Sequence, residues 1–247
     1  MAGQLLAEAA VTLLVTGGVV FLGGLVRGAT GFGGALVMVP LLATVTTPAA
    51  AVSLVLLIEV AGYVDMLRHA GRRIQWRAIG VLTAAAIVAV PLGVYAVTHV
   101  DTATMARVIG GCVIVLALIL MTGWRYTGTP GWPVTVGVGA VSGALDGLAG
   151  VPGPPVALFL YGGPHAAQTV RDNLVGYFLL LDVVTLVAFA IEGTLRTELL
   201  WLGLGSLPVS IVANWTGVWL TRRLPETLLR RLALLVVVVA GMALLLR

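Results

Sequence analysis

Charged side chains lie inside the most apolar stretches of this sequence, where they could bind an ion or carry a proton. Arg27 lies in "LVRGATGFGGALVMVPLL" (25–42), and Asp146 lies in the similarly built "ALDGLAGVPGPPVALFL" (144–160). At membrane depth a charge costs about 2.5–3.5 kcal/mol on insertion scales, so it usually faces a cavity or a partner. Arg27 could bind an anion or pair with Asp146, and the two arrangements could alternate. A structural ion pair, or an arginine that snorkels to the interface, is the alternative.

Other polar side chains of the same kind occur later in the chain and in its third apolar run. Arg171 and Asn173 open the stretch "TVRDNLVGYFLLLD" (169–182), and both are candidates for contact with an anion; helix capping and interfacial anchoring are the alternative. Glu59 and Asp182, together with Asp146, are candidate proton carriers, because an apolar environment favours the neutral form of a carboxyl group. A hydrogen bond within a helix bundle is the alternative for each.

The composition predicts an all-α integral membrane protein in a lipid bilayer. Of the 247 residues, 60% are hydrophobic and 10% are charged, whereas a soluble domain carries about 25% charged residues. The apolar runs reach the roughly 20 residues that a helix needs to cross a bilayer. They do not alternate with polar residues, as strands of a membrane barrel would.

We expect no metal, no cofactor and no nucleic acid. The histidines, His69, His99 and His165, lie near segment ends at a spacing that suits no metal site. The single cysteine, Cys112, excludes a CxxC motif. All basic residues are arginines, and most lie at segment ends, where they set topology.

The apolar pattern predicts ten membrane elements in two halves. The Gly-, Pro- and Trp-rich connection 123–133 divides the chain into repeat 1 (1–124) and repeat 2 (125–247) of one membrane domain. The predicted elements are 5–26, 32–46, 49–67, 77–98, 103–122, 132–147, 153–163, 168–191, 198–221 and 227–246.

The two halves resemble each other. A shift of 119 positions places Arg27 on Asp146 and brings four glycines of each half into register. The matched glycines are Gly24 with Gly143, Gly28 with Gly147, Gly31 with Gly150, and Gly34 with Gly153. Such internal repeats are common in secondary transporters.

The placement of arginines predicts that the halves are inverted. Five elements per half, of which the first two form a hairpin, put the arginines of 68–77 and 222–231 on one face. Four simple spans per half would put them on opposite faces. We therefore expect arginine-rich cytoplasmic loops and both termini outside, in a bacterial inner membrane. Elements 32–46 and 153–163 are short for a full crossing, and whether they span or re-enter stays open.

Each glycine-rich stretch predicts a helix break followed by a new helix near the membrane midplane. Glycine permits positive φ and close backbone approach. The N-terminus of the new helix would attract an anion, and matched breaks in two halves indicate a transporter's substrate site. The predicted substrate-binding residues are Arg27, Gly28, Thr30, Gly31, Gly33, Gly34, Asp146, Gly150, Gly153, Arg171 and Asn173.

At "GATGFGGALVMVPLL" and "GLAGVPGPPVALFLYGG…TVRDNLVGYFLLLD" the sequence resembles the sulfite exporter family of the TauE/SafE type, also called the toluene-sulfonate uptake permease family. The resemblance covers nearly the whole chain. It implies a bacterial inner-membrane protein that moves sulfite, sulfonates or related sulfur-containing anions. The family commonly shows a run such as GIGGG, and "GATGFGG" and "GLAGVPGPP" depart from it, which leaves room for a different substrate.

These observations predict a secondary transporter that works by alternating access. A carrier of carboxylate anions and an anion channel are the alternatives, and a homodimer is left open. An intramembrane enzyme is disfavoured, because the sequence around Ser142 lacks the GxSG form and no HExxH motif occurs.

Overall fold

The helices of the protein follow the predicted order closely. The computed structural model describes residues 2–70, 73–124, 126, 128, 131–163, 166–221, 223–224 and 226–246. In these residues the chain forms helices and no strands, so the predicted all-α fold is confirmed. The helices are α1 Ala2–Thr30, α2 Gly34–Ala43, α3 Pro48–Ala70, α4 Trp76–His99, α5 Thr102–Thr122, α6 Trp132–Ala149, α7 Gly153–Leu160, α8 Ala167–Ile191, α9 Thr197–Leu220 and α10 Glu226–Leu245.

Six of these helices have spans long and apolar enough to cross a membrane. The spans are Leu13–Thr30, Pro48–Arg68, Trp76–His99, Thr102–Thr122, Ala167–Ile191 and Thr197–Leu220. Large apolar side chains such as Leu14, Val88 and Leu92 stay exposed on the helix surfaces, which suits contact with lipid.

The second helix of each half is too short to cross a bilayer. Helix α2 has 10 residues and α7 has 8 residues, which gives lengths of about 15 and 12 Å against a hydrocarbon core of about 30 Å. Helix α2 turns back along α1, since Gly23 of α1 lies against Met38 and Gly34 of α2. These two elements therefore enter part of the way into the bundle.

The main contacts between the two halves are made by equivalent pairs of helices. Helix α1 packs on α9 as α6 packs on α4, and α3 and α5 pack on their counterparts α8 and α10. Gly110 near the start of α5 lies against Gly241 and Leu245 near the end of α10, so this pair runs antiparallel. Inverted halves would produce this pairing. The inversion and the repeat boundary at 124 stay predictions.

Two of the four matched glycine pairs allow close helix packing. A Cβ atom at Gly143 of α6 would lie 2.0 Å from the Ala86 carbonyl oxygen of α4. In the other half, a Cβ atom at Gly24 of α1, the match of Gly143, would lie 2.7 Å from the Ala213 Cβ of α9, and one at Gly28 would lie 2.1 Å from the Asn214 carbonyl oxygen. Only glycine permits these distances, because any side chain would push the helices apart.

Gly143→Ala is expected to lower stability by about 1–3 kcal/mol, because the new methyl group overpacks the α4–α6 contact. Thermal unfolding of the purified protein in detergent measures this. Gly137→Ala is the matched control on the same helix, since no atom lies within 4 Å of a Cβ there. We expect it to leave the melting temperature unchanged or to raise it slightly. Equal melting temperatures for the two variants would contradict the packing role of Gly143.

Candidate functional site

The first helix break is made by two glycines with positive φ. Helix α1 ends at Thr30, and Gly31 has φ +83° while its N–H donates to the Arg27 carbonyl oxygen at 2.7 Å. Gly33 has φ +88° and precedes the first residue of α2. The Thr30 hydroxyl lies 2.9 Å from the Val26 carbonyl oxygen and also bonds the Phe32 carbonyl oxygen. The polar groups of this break are therefore largely satisfied locally.

The second break repeats the first. Gly150 has φ +62° and its N–H donates to the Asp146 carbonyl oxygen at 2.7 Å. Helix α7 then begins at Gly153. A Cβ atom at Gly153 would lie 3.0 Å from Phe32 Cδ2, so the two breaks meet in the middle of the protein. The predicted breaks thus correspond to real ends and starts of helices, at equivalent positions of the two halves.

Arg27 is completely buried beside the first break. Its side chain is 0% exposed and its Nη1 lies 3.3 Å from Glu59 Oε1 of α3. Its Nη2 donates to Ser210 Oγ of α9 at 2.9 Å, and its Cζ lies 5.8 Å from the centre of the Tyr63 ring. A Cβ atom at Gly62 would lie 2.5 Å from the guanidinium carbon and both terminal nitrogens. Glycine at position 62 therefore makes the space that the guanidinium group occupies.

The hypothesis of an ion pair between Arg27 and Asp146 is wrong for this structure. The partner of Arg27 is Glu59, and Asp146 accepts a hydrogen bond from Thr185 of α8. The reason is that each side chain turns toward the third helix of its own half, α3 for Arg27 and α8 for Asp146. The other Asp146 oxygen, Oδ1, is buried without a hydrogen-bond partner among the described residues.

A small chamber lies between the two breaks. Its volume is about 20 Å³, which is close to the space that one water molecule needs. Both breaks contribute to its wall, and α3 and α8 add the carboxyl groups of Glu59 and Asp182. The lining consists of Phe32, Gly33, Ala35, Leu36, Glu59, Tyr63, Gly150, Val151, Pro152, Gly153, Pro154, Phe178 and Asp182.

A larger open cavity of about 490 Å³ reaches the first break from one end of the bundle. Arg171 and Gln168 of α8 line it, together with Thr30 and Gly33. A Cβ atom at Gly31 would lie 3.0 Å from the Arg171 Nε, so this arginine lies directly beside the break. Phe32, Gly33 and Leu36 line both spaces and form the wall between them.

A second open cavity, also of about 490 Å³, lies on the other side of Arg171. Gln168 and Arg171 line both open cavities. Its charged lining is mixed, because Asp65, Arg73 and Asp172 also face it. Arg73 Nε lies 3.0 Å from Asp172 Oδ2, which ties the connection between α3 and α4 to the start of α8.

Asn173, a predicted anion contact, has a structural partner. Its Oδ1 accepts a hydrogen bond from the Gln75 N–H at 2.7 Å, and Gln75 is the residue that precedes α4. This bond joins α8 to the residue in front of α4, and the role of Asn173 as an anion contact stays a prediction. Ser142 is likewise engaged: it donates to the Pro152 carbonyl oxygen at 2.8 Å and accepts from Tyr177 at 2.9 Å.

Several residues of this centre were not predicted from the sequence. Gly62 and Tyr63 follow Glu59 at the i+3 and i+4 positions, a spacing that puts all three on one helix face, so they could have been found. Ser210 and Phe32 gave no comparable signal. The contact between Ser210 and Arg27 joins residues 183 positions apart, and only the packing of α1 on α9 creates it.

The fold and its buried centre define a multi-pass helical membrane protein with polar groups gathered at two helix breaks. The chain belongs to the sulfite exporter TauE/SafE family, which it matches over residues 16–244. This is a family of transporters. No curated protein and no solved structure matches the chain.

Glu59→Gln is expected to lower stability by about 3–5 kcal/mol, because it leaves the buried guanidinium group of Arg27 without a counter-charge. The double variant Arg27→Met with Glu59→Gln removes both charges and should regain most of that loss. Glu198→Gln, at an exposed position, is the control and should have the same melting temperature as the wild type. A double variant no more stable than Glu59→Gln would show that the two charges do not stabilise each other.

Proposed function

We propose that the protein is a secondary transporter that moves a small sulfur-containing anion, of the sulfite and sulfonate class, across a bacterial inner membrane. The family supplies the substrate class, and the site supplies a route for an anion. The observation that carries the proposal is the open cavity, which leads past Arg171 to the first helix break and ends there at a thin wall.

The open cavity has the chemistry of an anion site. Among the described residues that line it, Arg171 alone carries a charge. Gln168 and Thr221 add polar side chains. Gly33 brings the cavity to the N-terminus of α2, where the first N–H groups of the helix lack partners within it and carry partial positive charge. An anion held there would contact a guanidinium group and a helix N-terminus together.

The same geometry supports alternating access. Phe32, Gly33 and Leu36 lie between the open cavity and the small chamber. Phe32 packs on Gly153 of the other half, so a relative movement of the halves would open or close this contact. The arginine-rich end then faces the cytoplasm by the positive-inside rule, with both termini on the opposite side.

Anion binding is measured by thermal unfolding of the purified protein with sulfite, sulfate, thiosulfate, taurine, isethionate, small carboxylates and chloride. A ligand that binds only the folded state stabilises it by roughly 2.7 kcal/mol at one hundred times its Kd. We expect this shift with a sulfur anion, and we expect Arg171→Gln to lose it. Arg77→Gln, an exposed arginine in the first turn of α4, is the control and should keep it.

Two outcomes would count against the proposal. One is the absence of a shift with every sulfur anion in the panel. The other is an unchanged shift in Arg171→Gln. In proteoliposomes, saturable flux that is stimulated by the same anion on the opposite side is the expected result for a carrier, and currents proportional to voltage would indicate a channel.

A further inference from the structure

The carboxyl group of Asp182 lines the central chamber and has no hydrogen-bond or ion-pair partner among the residues that the structure describes. Its side chain is 2% exposed, and it lines the chamber beside Glu59 and Tyr63. The hydrogen bonds and ion pairs of the described residues include none to this carboxyl group. Glu59 differs, since it pairs with Arg27, and Asp146 has its hydrogen bond from Thr185.

The charges of the buried centre do not balance. Among the described residues the centre holds one guanidinium group, from Arg27, and three carboxyl groups, from Glu59, Asp146 and Asp182. The first half supplies the balanced pair of Arg27 and Glu59. The second half supplies two carboxyl groups and no buried cation, because Asp146 occupies the position equivalent to Arg27. Isolated buried charges of this kind are strongly unfavourable, so a bound cation would stabilise the carboxyl groups of the second half.

The charged groups that face Asp182 make its ionised form still less favourable. Glu59 and Tyr63 face it from α3, Arg27 from α1 and Asp146 from α6, while Tyr177 is the neighbouring titratable group on α8 itself. Two carboxyl groups and one guanidinium group therefore act on Asp182. The one cation among them already pairs with Glu59, so it offsets the charge of Asp182 only in part.

The repeat explains why the partner is missing. The 119-position shift that aligns the helix breaks places Tyr63 on Asp182 and Glu59 on Phe178. At these two aligned positions, α3 and α8 thus each carry one carboxyl group and one aromatic ring, in opposite order, and the Tyr63 and Phe178 rings lie 5.5 Å apart. As a result, the first half joins its carboxyl group to an arginine, and the second half leaves its carboxyl group facing the chamber.

We propose that Asp182 is the proton-binding group that couples anion transport to proton movement, with both ions crossing in the same direction. This rests on the proposed transport function. A proton adds to one Asp182 oxygen from water on one side, forming an O–H bond, and the same bond breaks when the proton passes to water on the other side. A metal cation would need several oxygen ligands, whereas a proton needs one.

The direction of coupling follows from electrostatics. An ionised Asp182 places negative charge in the chamber and repels an anion at the breaks, and this repulsion is strong where water is excluded. Protonation of Asp182 removes this repulsion, so the protein binds the anion best when Asp182 carries a proton. With the inward proton gradient of a bacterial inner membrane, this coupling drives uptake.

The test uses the full chain in proteoliposomes with labelled isethionate and labelled sulfite. Isethionate keeps its sulfonate ionised across the pH range, so any pH dependence belongs to the protein. With acid outside, we expect wild-type vesicles to accumulate anion at least about tenfold and to show matching alkalinisation outside. Asp182→Asn should lose this accumulation while anion counterflow, which needs no net proton movement, continues. Asp101→Asn, at an exposed position that caps α5, should behave as wild type.

The outcomes separate the two proposals. If wild-type vesicles move neither anion, the proposed function fails. Three results would overturn the role of Asp182 and leave the transport function standing. Wild-type anion flux could be independent of the pH gradient, or it could be driven by a sodium gradient. The Asp182→Asn variant could also still accumulate anion when a pH gradient is applied. Asp182→Glu keeps an ionisable group and should restore part of the pH-driven accumulation. Loss of counterflow in Asp182→Asn, with no recovery in Asp182→Glu, would also overturn it.

Discussion

Interrupting a helix within a membrane frees backbone N–H and C=O groups that lipid cannot satisfy, and the centre of this protein is built around that constraint. At each break a glycine with positive φ turns its N–H back to the last turn of the preceding helix. The Thr30 hydroxyl donates a hydrogen bond to the Phe32 carbonyl oxygen. In the second half, the Ser142 hydroxyl donates to the Pro152 carbonyl oxygen. The two breaks then pack on each other, which removes them from lipid.

The buried charges follow from the same arrangement. Because the breaks are enclosed by α3, α8 and their neighbours, an arginine beside the first break is cut off from water and needs both a counter-charge and space. Glu59 supplies the charge and Gly62 supplies the space. The second half repeats the backbone of the first but not its charges, which leaves Asp182 alone.

Much of this organisation could be predicted from the sequence, for identifiable reasons. The membrane class follows from composition. The two breaks follow from glycine spacing, since Gly31 and Gly150 adopt the backbone conformation that side chains disfavour. Glu59 and Asp182 were recognisable as carboxyl groups in apolar helices. The ends of α2 and α7 were placed too late, because the apolar pattern continues past the point where the backbone leaves the helix.

The sequence by itself determined the helical membrane fold and the residues at which the helices break, because these depend on local properties: hydropathy and glycine conformation. Only the tertiary structure decided which charges meet. Arg27 joins Glu59 and Ser210 rather than Asp146, and Asn173 bonds the Gln75 N–H in front of α4. These partners depend on which helices pack together and on the direction in which each side chain turns, and residues far apart in the chain carry no local sign of either.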